Sequence, residues 1–168
     1  MHRRVLFARI GWIECYAGAT NDPPEGQMGY IKDRQGPVAE RFNFAALGGK
    51  VYGYVTHTNG TLYNLGRIDA AGVGADSLDG VLLVFMAARP RRIGAGQCVV
   101  GWYRDARLYD GYKPRPHLTR LRGSIYCAVA SPREAFLLPV PIRTWKIPTG
   151  RGGTGRRRSA TSIRGSHG

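Results

Sequence analysis

Apolar residues along this chain come in short bursts separated by Gly, Pro and charged runs, and that spacing predicts strands. Val5-Leu6-Phe7-Ala8-Arg9-Ile10 is the first burst, and Gly11 ends it. Val51-Tyr52-Gly53-Tyr54-Val55 and Thr61-Leu62-Tyr63 flank Thr58-Asn59-Gly60. Asn-Gly between β-formers signals a hairpin, because both residues tolerate the positive φ of a type I′ turn. Val81-Leu82-Leu83-Val84-Phe85-Met86-Ala87 is continuously apolar and short, the mark of a strand buried on both faces. Cys98-Val99-Val100-Gly101-Trp102-Tyr103 and Ile125-Tyr126-Cys127-Ala128-Val129-Ala130 are two further strands.

Between the bursts, residues 17–38 read as a long loop of the kind that carries function. Arg41-Phe42-Asn43-Phe44 is a short apolar island, and Arg89 to Gly96 form a basic loop around Pro90, Arg91 and Arg92. Ser131-Pro132-Arg133-Glu134 is a helix start, with Ser as N-cap and Pro at the first position; Pro139 and Pro141 stop that helix early. No repeat and no long amphipathic helix is visible. The pattern is α+β and β-rich, and 24 glycines with nine tyrosines agree with strands joined by tight turns.

Charge changes the picture. The 168 residues carry 25 Lys+Arg against 11 Asp+Glu, a formal +14. Residues 151–168 hold five of the arginines and no acid, so residues 1–150 keep a net +9. A basic body favours a polyanionic partner, since neutralising phosphates releases counterions. The expected organisation is one nucleic-acid-binding domain over 1–150 and a disordered basic tail over 151–168. That tail is too poor in apolar residues to offset the entropy of ordering.

Common chemistries find no support. Cys15, Cys98 and Cys127 are widely spaced and form no C-x-x-C pair; His2, His57, His117 and His167 stand apart from one another. No nucleophile elbow, P-loop or dinucleotide fingerprint occurs. The reading is therefore no cofactor, no metal and no catalytic residue. No apolar run reaches 18 residues, and the N-terminal stretch meets Arg9 and Glu14 too soon for a signal-peptide core. No membrane partner is expected, and the cytoplasm is the default location.

What remains is aromatic residues interleaved with arginine and glycine. Gly11-Trp12 follows the first strand, Gly101-Trp102-Tyr103-Arg104 ends a central one, and Tyr30, Phe42 and Phe44 lie between them in sequence. Flat rings beside cations suit base stacking with phosphate contacts. Phe7, Phe85, Tyr126 and Phe136 are read as core rings instead.

Several blocks in order carry a resemblance: Leu6-Phe7-Ala8-Arg9-Ile10-Gly11-Trp12, Glu40-Arg41-Phe42-Asn43-Phe44, Tyr52-Gly53-Tyr54, Val99-Val100-Gly101-Trp102-Tyr103-Arg104, Phe136-Leu137-Leu138-Pro139 and Arg143-Thr144-Trp145. Ile147-Pro148 and Gly150-Arg151-Gly152-Gly153 follow. Together, over residues 3–155, they resemble the PUA-superfamily reader domain, of the EVE/YTH kind, that precedes HNH nuclease domains in some bacterial restriction-type proteins. The resemblance implies a small curved or barrel-like sheet with short flanking helices, and a modified base flipped into an aromatic pocket. Two departures stand out. Gly26-Gln27-Met28-Gly29-Tyr30 replaces a Gly-Gly-Gly-Ser-Tyr-like loop, and after the Gly-Gly-x-Gly stretch the chain becomes Arg156-Arg157-Arg158-Ser159 instead of leading towards a nuclease. A separate nuclease is then a partner to expect.

The reading is a reader of a modified base in DNA. Trp12, Tyr30, Phe44 and Trp102 are the stacking candidates, Asn43 the base-edge candidate, and Arg9, Arg89, Arg91, Arg92 and Arg104 the phosphate candidates. An RNA-binding domain of the same fold family is the alternative, ranked behind DNA, and a protein-interaction module with incidental charge comes third.

Overall fold

The computed structural model describes residues 4–18, 22–25, 39–56, 63–116 and 125–148. The Asn59-Gly60 hairpin turn, the Gly26–Tyr30 loop and the 151–168 tail lie outside the described residues.

Eight strands form one sheet: β1 (Arg4–Ile10), β2 (Ala46–Leu47), β3 (Lys50–Gly53), β4 (Ser77–Ala88), β5 (Gln97–Pro114), β6 (Ile125–Ala130), β7 (Ala135–Leu137) and β8 (Lys146–Ile147). The order is β1-β4-β5-β6-β3-β2, with β7 and β8 paired to the first part of β5. β1 runs parallel to β4, and the other pairs are antiparallel. The apolar bursts mark β1, β3, β4, β6 and the opening of β5. Β-strand 5, however, continues well past Tyr103, and β2, β7 and β8 are additional.

The expected barrel-like closure is not what forms. β1 and β2 sit at opposite ends of the strand order and do not pair, so the sheet stays open. Closing a sheet needs two long edges in a fixed stagger. Here one edge is a two-residue strand with two rungs to its neighbour. β2 and β3 are joined through Gly48 and Gly49, whose φ values of 55° and 74° make the two-residue turn that such hairpins favour.

The expected flanking helices are also corrected. The described helical segments are single 3-10 turns, at Ala39–Phe42, Leu65–Arg67, Ala70–Gly72, Pro132–Glu134 and Val140–Ile142. Ser131 does act as an N-cap, its side chain accepting from Arg133 N at 3.3 Å. The turn then passes directly into β7, because Ala135–Leu137 finds an open ladder on β5.

One face of the sheet carries the core. Leu6, Ala8 and Ile10 of β1, Leu83, Phe85 and Ala87 of β4, and Cys98, Val100 and Tyr103 of β5 are buried there with Val51 and Cys127. The 11–18 and 39–45 segments pack on this layer. Phe44 meets Tyr16, Phe85 and Tyr103 edge-on, with ring centroids 5.5–5.7 Å apart, and Phe44 N donates to Tyr16 O at 3.1 Å. Burial keeps the Tyr16 and Tyr103 phenols protonated by raising their pKa values.

Two arginines belong to this interior. Arg143 donates from Nε to Leu138 O and from Nη1 to Ile13 O, both at 2.8 Å, and from Nη2 to Glu14 O. Its guanidinium lies 4.9 Å from the Trp12 ring centroid and 5.8 Å from that of Tyr16. It therefore ties the 11–16 segment to the chain around residues 138–143. Arg115 donates to Ala39 O and Tyr52 O and lies over Phe42, and burial pushes its pKa down to about 10. Part of the positive charge is thus spent on backbone carbonyls, and the surface available to a polyanion is smaller than the net charge suggests.

Candidate nucleic-acid interface

The face of the sheet opposite the core carries a different pattern. Strand pairing places Phe7, Val84, Trp102 and Phe136 in one row across β1, β4, β5 and β7. Directly paired residues share a face, so these four side chains stand together. Arg9, Met86 and Val99 form the neighbouring row, and Val99 N donates to Trp145 O at 3.1 Å. A third pair, Ala88 with Gln97, continues the face to the end of the strands.

On this face the rings make a ladder. Trp102 is half-buried between Phe136, at 5.6 Å and 26° between planes, and Trp145, at 6.2 Å and 15°. Phe136 is 36% exposed and Trp145 61% exposed. The Arg104 guanidinium sits 5.5 Å from the Phe136 centroid and pairs with Glu134, whose carboxyl it holds below the usual range. Near-parallel rings whose end members are exposed form a stacking platform.

The phosphate candidates divide. Arg9, Arg89 and Arg91 converge on an open depression of about 630 Å³ at the β4–β5 loop, lined also by Glu25, Ala88, Pro90, Gly94, Ala95, Gly96 and Gln97. Arg89 Nη2 donates to Ile93 O at 3.1 Å and so braces that loop. Arg92 instead pairs with Glu14, at 3.1 Å, and with Glu25. Arg104 pairs with Glu134 as above. A partner's phosphate would have to compete with a carboxylate at both Arg92 and Arg104.

Among the described stacking and base-edge candidates, Trp102 stands in the ring ladder on the face opposite the core. Trp12 is buried, with Arg143 over its ring. Phe44 is surrounded by three aromatic edges. The Asn43 amide is already used: Nδ2 donates to Tyr54 O at 2.9 Å and Oδ1 accepts from Tyr54 N at 2.8 Å. Its backbone carbonyl accepts from the Tyr103 hydroxyl. Trp12 and Asn43 are thus buried and engaged in the core or in backbone pairing, and Phe44 is partly buried against the core rings. Tyr30 lies outside the described residues.

Phe136, expected in the core, faces outward, because its pairing with Trp102 sets it on the outer row. Gln97 has no local signature in the sequence, whereas Trp145 has one, an aromatic residue between Arg143 and Lys146.

Among the described residues, no group of His, Cys, Asp or Glu could hold a metal ion, and no helix is long and apolar enough to cross a membrane. No family model, curated protein or solved structure matches this chain.

Proposed function

We propose that this chain is a nucleic-acid-binding module that stacks bases on the Trp145–Trp102–Phe136 ladder and reads a modified base in DNA. The observation that carries the reading is the ladder itself, a run of near-parallel rings with exposed end members on a sheet face that also presents arginines. Stacking tolerates any base, and cations beside it hold the phosphates. Preference for a modified base follows from the sequence resemblance and requires the base to leave the duplex before it meets the rings. A second reading is favoured by the exposure of Phe136 and Trp145: single-stranded RNA lying along the rings, as on other sheet platforms with exposed rings.

The deciding experiment titrates the protein with matched oligonucleotides, namely plain DNA, methylated and hydroxymethylated DNA, and RNA, at several salt concentrations. Expected are quenching of tryptophan fluorescence and a log-log salt slope of about −2 on single strands, for about three phosphate contacts. Tightest binding to a modified DNA supports the DNA reading, and tightest binding to RNA replaces it with the second. Binding without quenching removes the ladder from the interface.

A further inference from the structure

The depression at the β4–β5 loop has features that backbone attraction alone does not explain. Gln97 lines it, is only 7% exposed, and its Oε1 has no hydrogen-bond partner among the described residues. Arg89 Nε, also on the lining, is buried without a partner. Buried polar atoms are nearly always paired, so a lone acceptor and a lone donor on two residues that line one hollow call for a ligand that brings the complementary groups once the two side chains turn towards it. Arg9 and Arg91 stand at the rim, exposed and without an ion pair among the described residues. The carboxylate on the lining, Glu25, is held by Arg92 and is thereby offset as a source of repulsion.

We infer that this depression is a nucleotide subsite. Arg9 and Arg91 bind the phosphate, Arg89 Nε donates to a phosphate or sugar oxygen, and Gln97 Oε1 accepts from an N–H on the base edge. A phosphate alone would leave Gln97 unanswered, and an uncharged ligand would leave the two rim arginines unanswered. The location agrees with this chemistry. Gln97 opens β5, Trp145 lies beside Val99, Trp102 follows, and Arg104 comes after it on the same strand. At about 3.3 Å per residue, Gln97 to Arg104 covers roughly 23 Å, so one strand can occupy the subsite and the ladder together. The inference rests on the nucleic-acid reading for that continuity, but the subsite makes its own prediction for free nucleotides.

The test is a set of two-dimensional amide NMR titrations of the full chain with inorganic phosphate, nucleosides, nucleoside monophosphates and a short single-stranded oligonucleotide. Arg9→Gln and Arg91→Gln are run in parallel, both at exposed positions that leave the core untouched. Monophosphates should shift the Gly94 and Gly96 amides and the Gln97 side-chain amide, and each substitution should weaken them about tenfold, the loss of one charge-assisted contact. Monophosphates whose base-edge N–H groups are blocked by methylation should bind more weakly than the unblocked ones. Equal shifts from inorganic phosphate would overturn the inference in favour of a simple anion site. An oligonucleotide that quenches tryptophan but leaves residues 94–97 unmoved would overturn the subsite while the proposed function stands. Monophosphate binding without oligonucleotide binding would support the subsite as one for free nucleotides and overturn the strand reading.

Discussion

Replacing Trp145 by alanine separates the ladder from the fold. Trp145 is 61% exposed, so about two-fifths of its surface is covered, and its ring lies 6.2 Å from that of Trp102. With roughly 200 Å² for a full tryptophan side chain, about 80 Å² of burial is lost, an upper limit of about 2 kcal/mol of stability. A domain with ~5–15 kcal/mol in hand stays folded after such a loss. Binding should suffer separately, by ~1–3 kcal/mol for one base-stacking ring, a weakening of about 5- to 150-fold. Trp145→Phe should recover most of it. The assay is anisotropy of a labelled single-stranded oligonucleotide, with intrinsic fluorescence alongside. The chain has three tryptophans, and the buried Trp12 should stay unquenched, so the quenched signal belongs to Trp102 and Trp145. Val73→Ala, exposed and away from this face, is the control. Unchanged affinity in Trp145→Ala, with the protein folded, would refute the stacking argument.

Arg143→Ala should cost ~3–5 kcal/mol in chemical denaturation, because it strands three carbonyl acceptors and uncovers two rings; a loss under about 1 kcal/mol would mean that water replaces the guanidinium freely. Gly101→Ala should lower the melting temperature and disrupt the ladder. A Cβ there would lie 2.4 Å from Phe136 O and 2.7 Å from Phe44 Cζ, so β7 must move and carry Phe136 away from Trp102; an unchanged fluorescence spectrum would contradict this. Alkaline pH should unfold the protein. Tyr16, Tyr63 and Tyr103 have folded pKa values above their unfolded value near 10, so their contribution is full below that pH and is lost as pH rises past it. Arg115, depressed to about 10, acts in the opposite sense, and the three tyrosines outweigh it. Circular dichroism and tyrosinate absorbance should change together; tyrosines that ionise while the fold persists would show that the phenols reach solvent.

The sequence alone determined where the backbone is extended most strongly. β1, β4, β6 and the opening of β5 are dense in apolar and β-branched residues, and strands of that kind announce themselves locally. β5 was hard to follow past Tyr103 because Asp105, at φ 56°, breaks the alternation before Ala106 and Leu108 resume it. β7 and β8 have no local signature. They are three and two residues long and exist because β5 presents an unpaired ladder to them. The basic loop at Arg89–Gly96 was visible in the sequence, but its meeting with Arg9 depends on the parallel pairing of β1 with β4, between residues far apart in the chain. The faces of the rings were likewise a tertiary decision. Trp12 and Trp102 each follow a glycine next to or within a strand, yet the first is sealed by Arg143 and the second lies half-buried on the side of the sheet opposite the core. A residue's type sets what contacts it can make, whereas strand register and the segments folded over one face decide which of them it does make.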